Sequence, residues 1–113
     1  MSDTIFAKII NKEIPSDIIY EDDQCVAFRD VNPQAPVHFL VLPRKPIAKL
    51  QDLTAEDEGL IGHIHGVITR LAEQEGIAAG YRVVTNSGSS AGQSVFHLHF
   101  HVLGGRTMRW PPG

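Results

Sequence analysis

The sequence predicts an α+β fold, in which a mainly antiparallel sheet packs against helices. Three observations support this. Runs with the two-residue period of strands lie close together in the chain, 18–21 beside 25–29 and 81–86 beside 95–103, as antiparallel pairing requires. One long stretch, 55–75, repeats its apolar residues at three and four, the spacing of an amphipathic helix. No internal repeat, low-complexity tract or linker interrupts the 113 residues, so a single domain spanning 1–113 is expected.

Each element has its own signal. Ile5, Phe6, Ile9 and Ile10 have helical spacing, Ser2, Asp3 and Thr4 are acceptable N-caps, and Pro15 closes the segment, so a short helix is expected over 4–12. Ile18 to Glu21 and Cys25 to Arg29, separated by Asp22-Asp23-Gln24, read as a hairpin. Asn32-Pro33-Gln34-Ala35-Pro36 is a loop, because two prolines break any ladder. His38 to Leu42 is almost continuously apolar and reads as a central strand, ended by Pro43 and Pro46. Thr54 and Asp57 form a capping-box pattern before the long helix, and Gly76 suits the position just past its end. Tyr81 to Asn86 reads as a strand, Ser87 to Gln93 as a Gly/Ser loop, and Val95 to Leu103 as the last strand. An irregular tail ends in Trp110-Pro111-Pro112-Gly113.

Composition narrows the function classes. Hydrophobic residues make up 42% of the chain, enough for a core, and a homodimer is a natural way for so small a domain to bury more surface. A formal net charge of −3 does not provide the basic footprint that DNA or RNA backbone binding needs, although a mononucleotide requires only a few local donors. Cys25 is the single cysteine, which leaves no internal disulfide and no Cys-based zinc site within one chain. No apolar run approaches the ~20 residues of a membrane span, and the first residues lack the basic and apolar regions of a secretory signal. A soluble cytoplasmic protein is expected.

The chemistry concentrates in His97-Leu98-His99-Phe100-His101-Val102-Leu103. On a strand, Leu98, Phe100 and Val102 turn to one face and the three imidazoles to the other. Burial of one sheet face against the helices leaves the other free for a site. Three imidazoles can hold a metal, but three alternate positions span about 13 Å, and no Asp, Glu or Cys flanks them. They can also divide the work of nucleophilic catalysis at phosphorus. One ring attacks in its neutral form, one donates to phosphate oxygens and one belongs to a supporting hydrogen-bond chain. Adjacent rings disfavour each other's protonation, which keeps the attacking ring neutral. The neighbouring loop Ser87-Gly88-Ser89-Ser90-Ala91-Gly92-Gln93-Ser94 offers small residues, hydroxyls and backbone N–H groups to a phosphate, without the ending of a P-loop. A solvated strand face with no chemistry is the plain alternative. His63 and His65 stand two apart on the long helix and read as ordinary helix residues, and His38 reads as a hydrogen-bonded core histidine.

This motif resembles the His-φ-His-φ-His-φ-φ signature of the histidine-triad proteins, φ being apolar. The likeness extends over nearly the whole chain. Thr4-Ile5-Phe6 with Ile9-Ile10, Ile14-Pro15, Asp30, Pro33 to His38, Gly92-Gln93-Ser94, Gly104-Gly105-Arg106 and the Trp110 to Gly113 ending are similar to the Hint branch, the purine nucleoside phosphoramidases. The resemblance implies a five-stranded antiparallel sheet with a short N-terminal and one long helix, and a homodimer whose sheets join into ten strands. It implies hydrolysis of the P–N bond of adenosine or guanosine 5′-phosphoramidates, with no cofactor and no metal. By the same resemblance His99 is the nucleophile, His101 the phosphate donor, and His97 with His38 the hydrogen-bonded support. Ser94 lies near the leaving amine, and Asn86, Gly92 and Gln93 line the phosphate pocket. Asp30 accepts from the ribose hydroxyls, and Ile5, Phe6, Ile9, Phe28 and Val31 form a purine slot. From the residues alone those apolar positions read better as core, and Asp30 as a turn residue before Asn32-Pro33. Alternatives of other kinds stay open: a purine-nucleotide sensor or scaffold with residual hydrolysis, a dinucleoside polyphosphate hydrolase, and a zinc-binding module. Trp110 either serves a partner's site or ties down the tail.

Overall fold

The computed structural model describes residues 4–113, so the candidate caps Ser2 and Asp3 lie outside the described residues. Thr4 caps the first helix, its hydroxyl accepting from the Ala7 N–H at 3.1 Å. That helix, α1 (Ile5–Ile10), is shorter than the expected 4–12 and is followed by Lys12 at φ +60°. The hairpin is formed by β1 (Ile18–Glu21) and β2 (Cys25–Arg29). The central strand is β3 (Val37–Pro43). A 3-10 turn at Ala55–Asp57 leads into the long helix α2 (Glu58–Gln74), and the Asp57 carboxylate accepts from the Thr54 N–H at 3.0 Å as the capping pattern predicts. Gly76 follows the helix at φ +76°, a conformation open to glycine at little cost. The last two strands are β4 (Tyr81–Val84) and β5 (Phe100–Gly104).

All five strands form one sheet in the order β1-β2-β3-β5-β4, every neighbouring pair antiparallel, so the predicted α+β class with a five-stranded sheet is observed. One face packs on α2. Cys25, Ala27, Phe39, Val41, Leu98, Phe100 and Val102 meet Ile64, Val67, Ile68 and Leu71 there, all buried. The other face is not left free along its whole length. Ile9 and Ile10 of α1 cover Val26, Phe28, Leu40 and Leu42, and only the histidine end of that face stays open for chemistry. Among the described residues, no helix is long and apolar enough to cross a membrane.

The expected strand over 95–103 forms only from Phe100 onward. Its ladder partner β3 reaches its proline end at Pro43, and the preceding segment is held by other bonds. The Leu98 N–H donates to the Ile47 carbonyl at 2.7 Å, and the carbonyls of His97 and His99 accept from side chains. Side-chain partners thus replace the ladder where the histidines must be aimed individually. The strand expected over 81–86 likewise ends at Val84, where the Thr85 hydroxyl turns to the His99 carbonyl.

Candidate active site

Sheet register brings the fourth histidine to the motif. His38 stands directly opposite Leu103 on β5, and Leu40 opposite His101. His38 and His101 are therefore diagonal neighbours on one face, within reach of two imidazoles. Their rings meet, with His38 Nε2 2.9 Å from His101 Nδ1. His99 sits beside them, its ring 5.1 Å from that of His101 and packed edge-on by Phe6 of α1 at 4.8 Å.

The hydrogen bonds assign every ring nitrogen. The Gln34 backbone N–H donates to His38 Nδ1 at 3.0 Å, so that nitrogen is an acceptor and Nε2 of the neutral ring carries the proton. His38 Nε2–H then donates to His101 Nδ1, which leaves the His101 proton on Nε2. His99 Nδ1 lies 2.7 Å from the His97 carbonyl, which can only accept, so Nδ1 is the N–H and Nε2 holds a lone pair. His97 Nε2 donates to the Pro43 carbonyl at 2.7 Å, and its buried Nδ1 has no partner among the described residues. One neighbouring ring thus carries a free lone pair (His99) and the other a proton (His101).

Electrostatics keep these rings neutral. Burial lowers the pKa of His38, His97 and His99 below the ordinary histidine value. His101 is pushed down to about 4, by burial first and then by the charges that His99 and His38 would carry. Asp30 opposes this only in part. Its Oδ2 is 3.4 Å from His38 Nε2 and 3.9 Å from His101 Nδ1, while its Oδ1 accepts from the Asn32 N–H at 2.8 Å.

The support expected from His97 and His38 acting together has a different form. His38 orients His101, and what holds His99 is the backbone carbonyl of His97 rather than its imidazole, which is spent on Pro43. A ring two residues before another on an extended chain places its carbonyl, not its side chain, within reach. Ile5, Phe6, Ile9, Phe28, Asp30 and Val31 do come together, lining a slot of about 180 Å³ beneath α1. Ile9 and Phe28 are also core, whereas Val31 is 97% exposed at the rim.

The Gly/Ser loop is more self-contained than expected. The N–H groups of Gly88, Ala91, Gly92 and Gln93 are all bonded within it, so they are not offered to an anion. Gln93 does not present its amide to a phosphate pocket. It is 4% exposed and its side chain is turned into the protein. Ser94 and Gly92 are exposed beside it, and Asn86 is half-buried where the loop begins. Thr85, which sequence reasoning missed, donates its hydroxyl to the His99 carbonyl at 2.8 Å; a β-branched hydroxyl at a strand end was its only signal.

A metal held by His97, His99 and His101 has no support in this geometry. Among the described residues, the close donor groups are Asp30 with His38 and His101, and Asp22 with Cys25 and His63. In the first, His38 and His101 already bond each other. In the second, Asp22 accepts from the N–H groups of Gln24 and Cys25, the Tyr20 hydroxyl and His63 Nε2. His63 is therefore more than an ordinary helix residue, since it ties the hairpin turn to α2. Trp110 is 81% exposed and does not tie down the tail; the Arg82 guanidinium holds the Arg109 carbonyl at 2.8 Å instead.

This fold, with a histidine cluster at its open end, defines a class. The HIT domain model matches residues 11–108, and the chain belongs to that family. It is 60% identical to an uncharacterized HIT-like protein of Synechococcus elongatus over 111 residues, covering 98% of this chain and 97% of that protein. A HIT family hydrolase from Legionella pneumophila superposes with a TM-score of 0.96 at 46% identity, over 98% of this chain and all of that one. A histidine triad nucleotide-binding protein from Candida albicans superposes with a TM-score of 0.83 at 31% identity, over 96% of this chain and 83% of that one.

Proposed function

We propose that the protein is a hydrolase of the Hint branch that cleaves the P–N bond of purine nucleoside 5′-phosphoramidates through a nucleotidyl-histidine at His99. The observation that carries this is the tautomer set: a buried, neutral His99 with its Nε2 lone pair free, beside a His101 whose Nε2 holds a proton. The hydrolase and nucleotide-binding descriptions of the Legionella and Candida relatives support it. In the first step His99 Nε2 attacks the α-phosphorus in line. The P–N bond breaks, and the nitrogen takes up a proton from solvent water and leaves as the amine past Ser94. His99, now substituted at Nε2 and still protonated at Nδ1, is cationic, and the His97 carbonyl at 2.7 Å stabilises that charge. His101 Nε2–H donates to the phosphate oxygens, oriented by His38. Water then attacks phosphorus and gives up a proton to solvent, the P–Nε2 bond breaks and returns neutral His99, and the nucleoside monophosphate departs.

The substrate would lie across three places. The 180 Å³ slot is smaller than the usual ~300–1,000 Å³ of a whole-ligand pocket, which suits the base alone. Asp30 at its rim would accept from the ribose hydroxyls, and the phosphate would stand over His99 and His101, with Asn86, Gly92 and Ser94 around it. Gln93 acts from behind this surface. The same reading carries a homodimer with a ten-stranded sheet, for which β1 and β4 are the edges. No metal or cofactor takes part. His99→Ala tests the reading: hydrolysis of an adenosine phosphoramidate should vanish while AMP binding persists, and full activity in that variant would overturn it.

A further inference from the structure

We infer that Gln93 is a positioning residue, whose buried amide sets the 88–94 loop and so determines affinity for the phosphate of the ligand but not for its nucleoside. This deepens the proposed reading and rests on it.

The amide bridges three separate pieces of backbone. Its Oε1 accepts from the Gly88 N–H at 2.9 Å, at the start of the loop. Its Nε2 donates to the Ala48 carbonyl at 2.8 Å, on the segment between β3 and α2, and to the Val95 carbonyl at 3.0 Å, where the histidine segment begins. The backbone adds a second tie, from the Gln93 N–H to the Gly88 carbonyl at 3.1 Å. An Asp or Asn side chain is one methylene shorter, and a Glu cannot donate to two carbonyls. A primary amide of this length satisfies one donor and two acceptors together.

The loop needs such an anchor. Gly88 and Gly92 both have positive φ, +97° and +95°, and among the described residues no atom outside their immediate neighbours comes within 4 Å of where a Cβ would be at either. Side-chain packing therefore does not hold these two hinges. Beyond Gln93, the Ser87 hydroxyl accepts from the Gln51 N–H at 3.3 Å, a long bond at an exposed site. The residues that flank the amide, Gly92 and Ser94, are both exposed, and the proposed function places the phosphate beside them. Losing the amide leaves one N–H and two carbonyls to find new partners, and the loop moves with them. The apolar slot and Asp30 belong to α1 and the segment after it, to β2 with Asp30 and Val31, and to Leu40 of β3, and the amide hydrogen-bonds none of them.

The test is calorimetric binding of AMP and of adenosine to the full chain, wild type against Gln93→Ala. The wild type should prefer AMP. Gln93→Ala should bind AMP at least tenfold more weakly and adenosine within about twofold of wild type. Gly88→Ala perturbs the same loop from its backbone and leaves the amide in place, and it should show the same selective loss. Retained preference for AMP in both variants overturns the inference and leaves the proposed function standing. Equal loss of both ligands also overturns it, since that marks general damage. A wild type that binds neither ligand removes the functional reading and the inference with it.

Discussion

Two substitutions at His38 separate holding a ring from holding a loop. In His38→Asn the side-chain oxygen can replace Nδ1 as acceptor for the Gln34 N–H, but nothing reaches His101. In His38→Gln the amide nitrogen can replace Nε2 as donor to His101, but the Gln34 N–H loses its acceptor. The two native bonds are 3.0 and 2.9 Å long, and His38 is 6% exposed, so each is a buried bond. A net hydrogen bond contributes about 0.5–1.5 kcal/mol, whereas a buried donor left unpaired costs roughly 1–3 kcal/mol. His38→Asn frees His101 to place its proton on Nδ1, which turns a lone pair toward the phosphate oxygens. The lost bias alone lowers kcat roughly two- to tenfold, at about 1 kcal/mol of stability. His38→Gln should do the reverse, losing more stability while keeping more of the rate. Steady-state hydrolysis of an adenosine phosphoramidate and urea denaturation of both variants measure the two quantities. If His38→Asn turns over as fast as wild type, or faster than His38→Gln, the tautomer argument is wrong.

Two further predictions follow from burial and packing. All four site histidines have folded pKa values below the ordinary 6.5, so the unfolded chain takes up protons first; stability is complete above about pH 6.5 and declines as the pH falls toward the His101 value of about 4. His101 alone contributes on the order of 3 kcal/mol to that decline, and urea midpoints that stay level between pH 7 and 4.5 would contradict it. Gly104→Ala would place a methyl 2.8 Å from Ile77 Cβ, an overpacking that costs about 1–3 kcal/mol, read as a lowered Tm; an unchanged Tm would refute that close approach.

Periodicity made much of this molecule legible. Alternation placed Leu98, Phe100 and Val102 in the core and the imidazoles on the opposite face, and the three-four spacing of Leu60 to Ala72 located α2. The capping residues Thr4, Thr54 and Gly76 act as their types predict. A period reports a face, however, and not a partner. That His38 serves His101 depends on the register of β3 against β5, which no local pattern encodes. The same holds for the Thr85 hydroxyl on His99 and for the inward turn of Gln93, both bonds between a side chain and backbone elsewhere in the chain. The last strand is short for a related reason. Leu98 gives its N–H to Ile47, and the side chains of Thr85 and His99 take the carbonyls that a ladder would have used.

The central claim is that His99 Nε2 becomes bonded to phosphorus. Rapid quenching of the protein during turnover of an adenosine phosphoramidate, followed by mass spectrometry with fragmentation across 97–101, tests it directly. An adenylyl group on His99, formed at least as fast as steady-state turnover and absent from His99→Ala, is the predicted result. Sustained turnover with no covalent adduct, or an adduct on His97 or His101, would contradict it.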